Sequence, residues 1–334
     1  MSALLETQSL TLTLPGRAAR PLLADVNISV AAGEVVGLVG ESGSGKSLTA
    51  RTALGLLPQG AVVAGKTVVA DLDVLKVSAD ELRALRQTKA SMIFQDPRAG
   101  INPLRRIGDF LTEALRENLG YSKSHANARA LELLEVVGLP DPARHLRQYP
   151  HELSGGMLQR VMIASAISTS PNLLLCDEPT TALDVTTQAE IVALLERIQA
   201  ETGMGMLFIT HDLDLAAAIC DRIYVMYAGR IVEEQPSQKL FERPLHPYTA
   251  GLLASTPGIE ADERRLVPIT GTPLSLAENP DGCAFANRCP HAIVEVCGLE
   301  LPPLAQVASG AWLRCARPEV LATTSHRVAE ADHG

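Results

Sequence analysis

Eight residues, Gly40-Glu41-Ser42-Gly43-Ser44-Gly45-Lys46-Ser47, have the types and spacing of a phosphate cradle. Glycines let the backbone curl until successive N–H groups point at one anion, and a helix starting there adds the positive end of its dipole. In that setting Lys46 reaches the outer phosphates of a nucleotide and Ser47 offers its hydroxyl to Mg2+. Two carboxylates, Asp177 and Glu178, follow the apolar run Leu173-Leu174-Leu175-Cys176. A carboxylate at a strand end can share Mg2+ with Ser47, and the next one can polarise a water facing the terminal phosphate. Leu153-Ser154-Gly155-Gly156 precedes a helical pattern and offers free N–H groups and a hydroxyl, a second anion-binding turn. Taken alone, Ser154 could equally be a simple N-cap. Two anion-gripping turns with one lysine-bearing loop point to nucleotides sandwiched between two molecules.

These groups need strands and helices to hold them. Val35-Val36-Gly37-Leu38-Val39 reads as a buried strand entering the phosphate loop, and Leu48 to Leu54 has helical spacing after it. Apolar strands are expected at Ser91 to Pro97, Asn172 to Pro179 and Met204 to His211, each ending in polar residues. Helices are expected at 80–89, through 106–137 with Gly138 as C-cap, after Ser154, and at 187–202. Strands alternating with helices imply a mainly parallel sheet covered on both faces, with ligands at the strands' C-terminal ends. Leu10–Leu14 and Val26–Val30 alternate with period two and predict an antiparallel edge. Residues 60–76 read as mixed and β-rich, and 222–233 as a closing hairpin. Past about residue 240 prolines recur and periodicity fades, which predicts an accessory region without a large core of its own.

The 334 residues are 46% hydrophobic and 20% charged, a globular profile with room for one large and one smaller domain. A formal charge of −9 argues against a broad nucleic-acid-binding surface. No apolar run approaches the ~20 residues needed to cross a bilayer. The first residues lack the basic and apolar regions of a secretory signal, so the expected location is cytosolic, with docking onto a membrane protein left open.

With these motifs in order, the chain resembles the ATP-binding subunits of ABC transporters. The resemblance covers about residues 5–255: the phosphate loop Gly40–Ser47, a glutamine loop at Gln95, the signature Leu153–Met157, and the carboxylate strand with Asp177 and Glu178. The loop Thr181-Ala182-Leu183-Asp184 and a switch histidine, His211, complete it. The resemblance implies a P-loop NTPase α/β fold (RecA-like core) with an antiparallel β subdomain, a helical insert at about 97–155, and an irregular C-terminal region. It divides the chain into an ATPase domain, 1–255, and an extension, 256–334. It further implies that Glu178, His211 and Gln95 serve hydrolysis, and that Ser47, Asp177 and Gln95 serve Mg2+. Ser154, Gly155 and Gly156 would contact the γ-phosphate on the opposite subunit, with Asp184 at the dimer seam. The aromatic ring that such subunits usually offer to adenine is missing; Leu14, Pro15, Arg17 and Arg20 are the nearest candidates.

Leu245-His246-Pro247-Tyr248-Thr249 and Ile101-Asn102-Pro103-Leu104 resemble the branch that imports di- and oligopeptides, whose relatives take nickel chelates, glutathione or oligosaccharides. That branch implies a second ATPase subunit, identical or different, two transmembrane permease subunits, and indirectly an extracytoplasmic solute-binding protein. The implied place is the cytoplasmic face of the inner membrane. A soluble ABC ATPase without a membrane partner, or a regulatory module with vestigial activity, are the rival readings. Of the six cysteines, Cys176 and Cys220 stand alone in apolar runs, whereas Cys283, Cys289, Cys297 and Cys315 cluster. Four thiolates suit a [4Fe–4S] cluster or zinc, and no metal at all is the third reading. The resemblance to cluster-bearing peptide-importer subunits, and the absence of C-x2-C knuckles, favour iron–sulfur, with His291 a bystander.

Overall fold

The computed structural model describes residues 3–15, 21–181, 183–255, 267–274 and 281–320. Five parallel strands form its centre, in the spatial order Arg222–Tyr227, Val35–Val39, Gly205–Thr210, Leu173–Asp177 and Ala90–Ile93. Their registers align, Val39 opposite Thr210 and Asp177 opposite Ile209, so their C-terminal ends reach one edge together. The residues that follow, Gly40, Gln95, Glu178 and His211, therefore gather along that edge.

The strands are apolar throughout because both faces are covered, and alternate side chains feed two different cores. Leu174, Cys176, Met206, Phe208 and Val225 join the helices of the insert. Leu173, Leu175, Leu207, Ile209 and Met226 pack instead against Leu10, Leu12, Leu23 and Val26 of the antiparallel sheet. That second sheet is built on Ala3–Thr13, flanked by Val62–Val69 on one side and by Leu23–Val26 and Ser29–Ala31 on the other. The expected single strand Val26–Val30 is thus two short ones, both pairing with the first strand. Asp25 adopts a left-handed φ of 50° inside the first of them, where its register against Ala3–Thr13 shifts.

The helical stretch expected at 106–137 breaks into Ile107–Leu119 and Lys123–Val136. Gly120 takes a left-handed φ of 67° and ends the first helix. Ser122 then caps the second, accepting the His125 N–H at 3.3 Å. Gly138 lies just past that helix with φ 72°, donating to Glu135 O at 2.9 Å.

Beyond Ser255 the chain returns to the central sheet. Ala311–Leu313 pairs antiparallel with Arg230–Pro236, and Ala305–Ala308 adds the last strand. Phe285 and Ala284 are buried in the same core as the sheet and insert helices. The segment leading there is pinned by Glu233, fully buried, which accepts hydrogen bonds from Leu245 N (2.8 Å), His246 N (2.8 Å), Thr249 Oγ1 (2.5 Å) and Gln235 Nε2 (2.7 Å). Among the described residues no helix is long and apolar enough to cross a membrane.

Candidate active site

The phosphate loop leaves Val39 through Gly40, whose φ of 152° and close approach to the Met226 carbonyl exclude a side chain; an added Cβ would stand 2.2 Å from that oxygen. Gly45, at φ 110°, leads directly into the helix Lys46–Ala53. Lys46 is buried, and its Nζ donates to the carbonyls of Gly40 (2.7 Å) and Glu41 (2.9 Å). Burial lowers its pKa, against the carboxylates of Glu178, Asp177 and Glu41 that favour the charged form. The cleft over the loop is lined by Ser42 to Leu48, Arg51, Gln95 and Glu178.

Ser47 Oγ donates to Asp177 Oδ1 at 2.6 Å, joining loop and strand end across 130 residues. Asp177 is fully buried, and its Oδ2 has no hydrogen-bond partner. Arg51 approaches that oxygen at 3.9 Å. Burial raises the Asp177 pKa, partly offset by the Ser47 hydrogen bond. An orphaned carboxylate oxygen beside a serine hydroxyl is a donor set that fits Mg2+, a hard cation that takes oxygen ligands. Gln95, the third expected Mg2+ contact, instead donates to Glu178.

Three side chains converge on one oxygen of Glu178. Gln95 Nε2 donates to Oε2 at 3.0 Å, Thr181 Oγ1 donates to it at 2.7 Å, and His211 Nδ1 lies 3.5 Å away. Glu178 itself has φ +47°, a left-handed conformation unusual for a side-chain-bearing residue, and its N–H donates to Ile209 O at 3.1 Å. Sequence reasoning did not assign a role to Thr181 or Arg51; a hydroxyl three residues past the carboxylate was the one available signal for Thr181.

Ser154, Gly155 and Gly156 do not line this cleft. Ser154 caps the helix Gly155–Ile167, its Oγ accepting from Met157 N at 3.3 Å. A Cβ on Gly155 would touch Leu183, and one on Gly156 would fall 2.6 Å from Thr187 Cγ2. The turn therefore packs beside the loop that carries Asp184. Asp184 caps the helix Val185–Thr202, accepting from Thr187 N at 3.0 Å and Thr187 Oγ1 at 2.7 Å. Those two hydrogen bonds lower its pKa. Leu14 and Pro15 also lie outside the cleft, while Arg17, Arg20 and Ala182 fall outside the described residues.

A family profile described as "ABC transporter" matches residues 23–181, and one described as "Oligopeptide/dipeptide transporter, C-terminal region" matches residues 232–297. The oligopeptide transport ATP-binding protein OppD of Salmonella typhimurium is 43% identical, covering 88% of this chain and 87% of its own. The chain belongs to the ATP-binding subunits of oligopeptide/dipeptide ABC transporters. The dipeptide transport ATP-binding protein DppD of Bacillus subtilis is 45% identical, covering 83% of each chain. Among solved structures, the ATP-binding cassette MJ0796, a dimer bound to ADP and Pi, superposes with a TM-score of 0.63 at 29% identity, over 70% of this chain and 98% of that one.

The C-terminal region profile reaches Cys283, Cys289 and Cys297 and ends before Cys315. Cys283, Cys289, Cys297 and Cys315 line one small cavity together with His246, Phe285 and His291. Yet no three His, Cys, Asp or Glu side chains among the described residues group closely enough to hold a metal ion, so the expected metal centre is not borne out here. Burial raises the thiol pKa values of Cys283 and Cys289, and pushes that of Cys315 up to about 11. Cys176 and Cys220 are buried, as their apolar surroundings suggested.

Proposed function

We propose that this subunit hydrolyses ATP to energise import of di- and oligopeptides across the cytoplasmic membrane, lying on its inner face. The observation that carries this reading is the Ser47–Asp177 contact beside the three-way grip on Glu178, within a chain that also matches the peptide-transporter C-terminal region. In this reading the loop amides and Lys46 hold the phosphates, while Ser47 and Asp177 hold Mg2+, which supplies charge neutralisation at the phosphates. Glu178 accepts the proton of the attacking water. Gln95, Thr181 and His211 fix its carboxylate in place.

Ser154 to Gly156 lie outside the cleft and serve the nucleotide of a second ATPase subunit. Closure of two subunits over their nucleotides drives two permease subunits docked near Gln95. A strain lacking this chain is expected to lose uptake of labelled di- and oligopeptides, with recovery from the wild-type chain and none from Lys46→Ala. Full uptake with Lys46→Ala would overturn the coupling.

We also infer a [4Fe–4S] cluster on the four C-terminal cysteines. The donor set supports this: four sulfurs around one cavity, the ligand number such clusters take. Anaerobically purified protein is expected to contain iron and acid-labile sulfide with a visible charge-transfer band. Stoichiometric zinc without sulfide would overturn this inference.

A further inference from the structure

Glu41 belongs to the phosphate loop but does not line the Lys46 cleft; its carboxylate is taken by a residue 247 positions later. Arg288 Nη1 donates to Glu41 Oε2 at 2.6 Å and Nη2 to Oε1 at 3.0 Å, a fork-to-fork pair. The Arg288 side chain is only 4% exposed. Its guanidinium lies 5.8 Å from the rings of both Tyr227 and Phe285, and its Nε donates to Thr270 O at 3.1 Å. The Glu41 N–H donates to Tyr248 Oη at 2.8 Å, so backbone and side chain of this one loop residue are both held from the C-terminal side. The Glu41 carbonyl, in turn, is one of the two acceptors of Lys46.

Arg288 stands on a single 3-10 turn, Ala286–Arg288, between two of the clustered cysteines. Ala286 N donates to Cys283 O at 3.0 Å, Cys289 N to Ala286 O at 3.3 Å, and Cys283 N to Cys297 O at 2.8 Å. A continuous chain of contacts thus runs from the cysteine cavity through Arg288 and Glu41 to Lys46. We propose that Arg288 is a positioning residue for the nucleotide site, through which the cysteine-bearing segment sets the affinity of the phosphate loop. The physical reason is preorganisation: a loop already held in its anion-binding shape loses less freedom when the triphosphate arrives. This rests on the nucleotide-binding reading of Gly40–Ser47.

The test is titration of the full chain with a fluorescent ATP analogue and Mg2+, with Lys46→Ala as the non-binding control. Arg288→Met is expected to weaken Kd about tenfold and Glu41→Gln about fivefold. The double variant should be no weaker than Arg288→Met, because both remove one interaction. Arg288→Lys should fall between, keeping the charge but losing the fork. Gly282→Ala, whose Cβ would fall 2.4 Å from the Cys297 carbonyl oxygen and so displace the cysteine-bearing segment, should weaken binding in the same direction, with no added effect on Arg288→Met. Turnover of Arg288→Met at saturating ATP in the assembled transporter should stay within about twofold, the pattern of lost uniform binding. Additive effects of Arg288→Met and Glu41→Gln, or an unchanged Kd in a folded Arg288→Met, would overturn the proposal. If Arg288→Met fails to fold, an unchanged Kd in Glu41→Gln overturns it alone. An unchanged Kd in Gly282→Ala overturns the control by the cysteine segment. Failure of the wild-type chain to bind the analogue would instead overturn the nucleotide reading itself.

Discussion

Glu178→Gln is expected to keep ATP bound, trap a stable dimer and lower turnover by at least about 100-fold. The substitution is nearly isosteric, and Gln95, Thr181 and the His211 ring can still bond an amide oxygen where Oε2 now stands. What disappears is the basicity. An amide cannot take the proton of the attacking water, so the step that reopens the dimer stops while the steps that close it continue. Single-turnover hydrolysis and light scattering with and without ATP measure the two halves separately. A Glu178→Gln protein that hydrolyses ATP at the wild-type rate would remove Glu178 from the chemistry. The strained backbone at Glu178 adds a consequence: φ +47° puts the carboxylate in its place at a conformational cost of order 1–3 kcal/mol. Thr181 and the Ile209 carbonyl secure that conformation from two sides.

The chemistry was legible in the sequence because it is local. Gly40 to Ser47 form a contiguous run, and Asp177 and Glu178 end an unbroken apolar strand, so residue order alone carries the message. The strands themselves were equally plain as mainly apolar runs of four to six residues. Which face each side chain takes was not, since Leu173 and Leu174 look alike and enter different cores. The C-terminal region was the least readable. Ala311–Leu313 and Ala305–Ala308 have three and four residues, too few to show alternation, and they become strands only because Arg230–Pro236 offers a free edge. Arg288 is a similar case. In the sequence it is one arginine before a cysteine, and its role exists only through Glu41, brought to it by the fold.

The signature turn gives the second large effect, and here the variant can separate fold from function. Ser154 caps the helix Gly155–Ile167 through one hydrogen bond to Met157 N, a task aspartate performs as well as serine. Ser154→Asp is therefore expected to leave the melting temperature within about 2 °C, since a conserved cap changes stability by no more than a few tenths of a kcal/mol. On the proposed reading it also puts a fixed negative charge where a partner's γ-phosphate would sit, and like charges brought together at a closing interface cost several kcal/mol. The Kd of the isolated chain for ATP should not change, because Ser154 lies outside the cleft that Lys46 faces. ATP-driven dimerisation and turnover in the assembled transporter should both fall by at least about 100-fold. If Ser154 served the nucleotide of its own chain, the isolated Kd would weaken instead. Retained dimerisation would show that the turn is only a helix cap. The same measurement thus decides between the two readings that Ser-Gly-Gly allows, and it decides them on binding and assembly without reference to the peptide being moved.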